Sequence, residues 1–257
     1  MHLLKLKPRS RLAVAALAAG LALALAACGG KKDGELPKGE AIAAIAPPAG
    51  KMWSEVVAAT PDGGMQMGNP EAPIKLVEYG SLSCPHCAKL AQEGMRPLVE
   101  KYVGSGRVSY EFRSYAIHGV IDLPLTVMLR CASPGAFFPL VEQIYANQDA
   151  MIAQAQQGNK QAEAAAALPA NQKWVGIADA FGLTDWFAAR GLPVDQAHAC
   201  LANAEAAQKV ADQTQVWFKA GIDSTPTLFL NGSKLDLPAG EEPWQVLEAA
   251  LQNAGAR

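Results

Sequence analysis

The sequence predicts an α/β fold carrying an inserted α-helical domain. Three observations predict it. Alternating apolar segments at residues 74–79 and 107–114 flank a helical pattern, giving strand, helix, strand. From about residue 121 to 220 the periodicity is almost wholly helical. A further strand, a tight turn and a final helix close the chain.

Residues 1–27 read as an export leader. Lys5, Lys7, Arg9 and Arg11 form a positive start, and 12–27 is an Ala- and Leu-rich run too short and too weakly apolar for a membrane span. The run ends Leu25-Ala26-Ala27-Cys28, which resembles the lipobox of bacterial lipoproteins. That resemblance implies cleavage before Cys28, lipidation of Cys28 and anchorage to a bacterial membrane. Several acyl chains would make such attachment stable. The alternative is ordinary cleavage after Ala27, leaving a spare thiol. The chain has five cysteines, an odd number, and lipidating Cys28 leaves four to pair. Residues 28–51, with Pro37, Pro47 and Pro48 among Gly, Lys, Glu and Ala, read as a flexible tether, or as a partly helical arm through Ala41 to Ile45. Residues 52–257 remain, enough for one domain or one domain with an insertion.

Within that domain, 52–57 is a first strand candidate, extending toward Thr60. Pro61-Asp62-Gly63-Gly64 is a turn signal, and 65–68 a short second strand. Residues 74–79 alternate as a strand that runs through Gly80-Ser81-Leu82-Ser83 into Cys84. Leu90, Met95, Leu98, Val99 and Tyr102 then share one helical face, closed by Gly104 and Gly106. Residues 107–114 are the next strand. Helices are expected at 123–132, 134–147, 172–181, 185–190 and 194–219, with 158–170 a loop or a fraying helix end. Residues 227–230 and 233–237 form a hairpin about Asn231-Gly232, and 241–254 is the last helix. His118 and His198 read as a loop and a helix histidine, and Trp174, Trp186, Trp217 and Trp244 as core or groove residues.

Cys84-Pro85-His86-Cys87 carries the chemistry. Two thiols separated by two residues can close a disulfide on themselves. Pro85 suits the first position of a helix, which puts Cys84 at the helix N-terminus, where free amides and the dipole favour a thiolate. A protonated His86 would add positive charge. A thiolate so stabilised leaves readily, so the disulfide becomes a strong oxidant. The competing reading is a structural or metal-binding CxxC. A metal site normally needs a second ligand pair, and the other cysteines and the four histidines are scattered.

Strand, CxxC, helix, strand, helical insertion, and then Ser224-Thr225-Pro226-Thr227 before a hairpin and terminal helix resembles the DsbA-like thiol:disulfide oxidoreductases over residues 74–251. These are thioredoxin folds with an inserted α-helical domain. The resemblance implies that Cys84 is the exposed nucleophile, Cys87 the buried resolving cysteine and His86 the stabiliser of the Cys84 thiolate. It implies that Pro226 is a cis-proline lying against the CxxC, with Thr225 offering backbone groups to an extended substrate strand. Glu78 matches a buried acid that assists proton transfer around Cys87. Cys131 and Cys200 are expected to form a structural disulfide pinning the insertion, the alternative being two buried free thiols.

The function implied is disulfide introduction into exported thiol-containing clients at the cell envelope, facing the periplasm, with a membrane or soluble redox partner for reoxidation. No metal or organic cofactor is implied. Thr225 stands where enteric DsbA has valine, and threonine also occurs there in reductases and isomerases of the fold, so the direction of electron flow stays open. No N-terminal dimerisation domain is evident, which points to a monomer. A formal net charge of −2, with no basic block outside the leader, argues against nucleic acid.

Overall fold

The computed structural model describes residues 39–257; the leader, Cys28 and the first part of the expected tether lie outside the described residues. Six strands form one sheet: β1 (Val57–Ala59), β2 (Met65–Gly68), β3 (Ile74–Gly80), β4 (Val108–Ser114), β5 (Thr227–Leu230) and β6 (Ser233–Lys234). Their spatial order is β1-β2-β4-β3-β5-β6. β3 and β4 are parallel and every other pair is antiparallel. β3 is therefore central, and its buried Ile74, Leu76 and Glu78 share one face, as a period of two requires.

The β3–β4 crossover is α1 (Pro85–Pro97). Pro97 lacks an N–H, and beyond it the helix continues with wider turns over Leu98–Val103, where the Gly104 N–H reaches the Val99 carbonyl at 2.8 Å. Seven helices follow: α2 (Asp122–Cys131), α3 (Pro134–Ala146), α4 (Gln148–Ala166), α5 (Ala170–Ala180), α6 (Leu183–Ala188), α7 (Val194–Ala202) and α8 (Ala204–Lys219). After the β5–β6 hairpin, α9 (Pro243–Asn253) packs Trp244, Leu247 and Leu251 into the core. No helix among the described residues is long and apolar enough to cross a membrane.

The structure departs from the sequence-based boundaries where polar side chains intervene. The expected strand at 52–57 is a single 3-10 turn, closed by the Met52 N–H donating to the Glu55 carboxylate at 2.8 Å, and the strand begins only at Val57. The expected helix at 194–219 breaks at Asn203, whose side-chain oxygen accepts the Glu205 and Ala206 N–H groups at 3.1 and 3.2 Å and so caps α8. α4 covers most of 158–170, the segment read as a loop or a fraying helix end. Gly158 lies within it because the Ala180 carbonyl of α5 occupies the space a side chain would need. The partner strand of the hairpin is two residues, not five.

The tether expected over 28–51 does not hang free in its described part. The Gly39 and Ile42 N–H groups donate to the Asn253 and Gly255 carbonyls at 2.7 and 2.9 Å, and Ile45 N–H to the Ser105 carbonyl at 2.9 Å. The buried Trp53 donates its indole N–H to the Ile45 carbonyl at 2.8 Å. Backbone groups satisfied in this way make the segment an arm docked on the domain.

Cys131, at the end of α2, and Cys200, in α7, are bonded, with Cα atoms 6.4 Å apart and a sequence separation of 69. A loop of that length is worth about 4 kcal/mol in the chain-entropy account. Cys131→Ala/Cys200→Ala should therefore lower the urea midpoint markedly, by an amount equivalent to about 2–4 kcal/mol. A double variant that unfolds with the wild-type protein would remove the bond from the stability account.

Candidate active site

The site is built where β3 ends and α1 begins. Cys84 is the N-cap of α1, in extended conformation, and Pro85 opens the helix. Its thiol faces the loop before β5, donating to the Thr225 carbonyl at 3.3 Å. The Thr225–Pro226 peptide is cis. Two bonds hold that loop: Tyr115 donates its hydroxyl to the Ile222 carbonyl at 2.7 Å, and the Thr227 hydroxyl donates to the Ser224 carbonyl at 2.8 Å. Cys84 is only 4 % exposed, so the sulfur expected to be open to solvent is buried against this loop.

The two thiols have opposite environments. Hydrogen bonding from the Cys87 thiol, then the Thr225 side chain and the Cys87 and His86 backbone N–H groups, outweighs burial and lowers the Cys84 pKa from 9.0 to about 5. Burial pushes the Cys87 thiol well above its usual range, and the neighbouring Cys84 and Glu78 charges push the same way. His86 itself is exposed, and what it directs at Cys84 is its main-chain N–H.

Glu78 lies on β3 beneath α1, 5 % exposed. Burial raises its pKa to about 7, against the 2.7 Å hydrogen bond it accepts from the Tyr110 hydroxyl. Gly80 is required nearby, because a Cβ there would stand 2.9 Å from Glu78 Oε1 and against the Phe112 ring. A carboxyl that is half-protonated near neutrality, electrostatically coupled to both cysteines, can take up or release a proton as the dithiol changes state.

Several residues that shape the site carry no sequence signal of their own. The helical insertion reaches back to the loop before Cys84. Gln148 donates to the Leu82 and Cys84 carbonyls at 2.9 and 3.1 Å, and the Tyr145 hydroxyl to the Ser81 carbonyl at 3.1 Å. Asp122, wholly buried at the start of α2, accepts the Ser83 N–H at 3.0 Å and the Ser81 hydroxyl at 2.8 Å. A buried glutamine or aspartate with a main-chain partner cannot be told from a surface one by residue type. An apolar cleft of about 600 Å³ opens beside Ser83 and His118, walled by Ile152, Trp174, Ile177 and Phe181. Among the described residues no group of three or more His, Cys, Asp or Glu is placed to hold a metal ion. The Cys131–Cys200 bond belongs to the insertion, and Cys28 lies outside the described residues.

The chain is similar to known proteins. A family model described as thioredoxin matches residues 60–249. The crystal structure of a protein-disulfide isomerase from Novosphingobium aromaticivorans superposes with a TM-score of 0.65 at 26 % identity, covering 73 % of this chain and 94 % of that one. Wolbachia pipientis alpha-DsbA1, 18 % identical, shares the fold, with a TM-score of 0.57 over 79 % of this chain and 96 % of that one. A provisionally named protein-disulfide oxidoreductase of Rickettsia prowazekii is 27 % identical over 173 residues, 66 % of this chain. The chain spans about half the length of that curated relative, 55 %. With the family model covering most of the chain and a mixed six-stranded sheet carrying a dithiol at the β3–α1 junction, this chain belongs to the thioredoxin family.

Proposed function

We propose that the protein is a thiol:disulfide oxidoreductase that introduces disulfides into exported proteins. The observation that carries this reading is the unequal dithiol: Cys84 at a helix N-terminus with a thiolate favoured down to about pH 5, backed by a buried Cys87 held protonated. In the disulfide form, a client thiolate attacks Cys84 Sγ. The Cys84–Cys87 bond breaks, and Cys87 leaves and takes a proton, with Glu78 as the nearby donor. The client's second thiolate then attacks its own sulfur in the mixed disulfide and expels Cys84 as a stable thiolate. Two electrons pass from client to protein, and a membrane-bound or soluble oxidant must remove them. The Thr225–Pro226 loop is the surface against which an extended client segment would lie, and Thr225 its backbone contact. Lipid on Cys28 would hold the protein at a bacterial envelope membrane facing the periplasm, as a monomer.

A reductase or isomerase of the same fold is the second reading, favoured by Thr225 before the cis-proline. Equilibration of the Cys84–Cys87 couple with glutathione separates the two. An oxidase should show a potential above about −180 mV, whereas a value near the −270 mV of thioredoxin would reverse the assigned direction.

A further inference from the structure

We propose that His118, held by Asp122, is the cationic positioning residue of the Cys84 thiolate, the part the sequence motif suggests for His86. The inference rests on the dithiol reading above and deepens it.

Asp122 is 0 % exposed, and its contacts come from two segments that meet beside Cys84. Ser81 Oγ donates to Oδ2 at 2.8 Å and the Ser83 N–H to Oδ1 at 3.0 Å, from the loop that ends at Cys84. The His118 N–H donates to Oδ2 at 3.0 Å, and His118 Nδ1 stands 3.4 Å from the same oxygen. His118 Nδ1 also lies 3.0 Å from Ser81 Oγ and 3.2 Å from Ser83 Oγ. The direction of these bonds fixes the imidazole. The Ser81 hydroxyl gives its proton to Asp122, so it meets His118 Nδ1 with a lone pair. Nδ1 therefore carries the hydrogen, and charging occurs at Nε2, on a side chain that is 51 % exposed. A buried carboxylate is costly unless paired, and the imidazolium is the cation its geometry brings within reach.

The charges around the ring favour the cation. Asp122 raises the His118 pKa by hydrogen bond and charge, and the Cys84 thiolate raises it further. On the cleft that His118 shares with α4 and α5, the other charged side chains are Glu163 and Lys173, opposite in sign. A coupling that makes the thiolate favour the imidazolium makes the imidazolium favour the thiolate equally. His86 lies exposed at the second helical position, and no hydrogen bond among the described residues holds its ring, whereas His118 is fixed by Asp122 and the two serines.

The test follows thiolate absorbance at 240 nm against pH in the reduced protein, with the glutathione equilibrium measured beside it. His118→Asn should raise the Cys84 midpoint by about one unit and make the disulfide about tenfold less oxidising. His118→Lys, which keeps a charge, should restore most of the shift, and Asp122→Asn should move the midpoint the same way as His118→Asn. His86→Asn should move it less than His118→Asn. The proposal is overturned if His118→Asn titrates with the wild-type protein, or if His118→Lys is displaced as far as His118→Asn. A wild-type Cys84 that titrates like a free thiol would instead sink the dithiol reading, and this inference with it.

Discussion

A Cys84→Ala protein should oxidise reduced ribonuclease no faster than the uncatalysed background, while Cys87→Ala should accumulate a covalent adduct with a client offered in its disulfide form. The asymmetry comes from access and ionisation together. Cys84 caps α1 against the Thr225 carbonyl and keeps a sliver of exposure, whereas Cys87 has none. With Cys84 gone, the remaining thiol is held well above the ordinary cysteine range by burial, so almost none of it is thiolate at pH 7. The loss should therefore be complete rather than partial. With Cys87 gone, the Cys84 thiolate can still attack the disulfide of an oxidised client, breaking that bond, expelling one client sulfur as thiolate and forming the mixed disulfide, and no second protein thiol can then release the client. A non-reducing gel would show the adduct, and treatment with dithiothreitol should dissolve it. Activity of Cys84→Ala within tenfold of wild type would end the assignment of nucleophile.

The second large effect is an inversion of stability between redox forms. A disulfide normally stabilises a fold, but a loop of four residues is worth only about 2 kcal/mol. Against it stands the Cys84 thiolate, which exists only in the reduced protein. Its pKa is about 5 folded and 9.0 in the reference state, so between those values the unfolded chain binds more protons than the native one. Stability of the dithiol form therefore rises with pH across that window and is lost as pH falls through about 5. At pH 7 the gain is at most about 3 kcal/mol, less what solvent screening removes. The two denaturation curves should cross between about pH 6 and 8, with the dithiol form the more stable above the crossing. Glu78 acts in the opposite sense. Its folded pKa of about 7 lies above the reference 4.5, so its contribution is fully present below 4.5 and lost as pH rises through 7. That loss, about 3 kcal/mol for so buried a group, falls on both redox forms and disappears in Glu78→Gln. A disulfide form that stays the more stable at pH 9 would contradict the assigned thiolate.

The strand–dithiol–helix core was legible because its signals are local. Alternation at 74–79, a proline one residue into a helix, and a Ser-Thr-Pro-Thr segment before a hairpin each declare their geometry over a few residues. Glu78 was legible only through the resemblance, since its place under α1 depends on tertiary packing. Asp122, Ser81, Gln148 and His118 were not read at all as site residues. Their chemistry lies in hydrogen bonds spanning 35 to 66 positions, between a loop and an insertion whose packing no periodicity encodes. The break at Asn203 shows the same limit at smaller scale: an uninterrupted apolar period hid a capping side chain.

The sheet ends on one side in the two exposed residues of β6 and on the other in the three of β1. Such stubs leave few unpaired amide and carbonyl groups for a foreign chain to zip onto. For a protein proposed to bind extended client segments, such short edges confine backbone pairing to the loop before β5 rather than to the rim of the sheet.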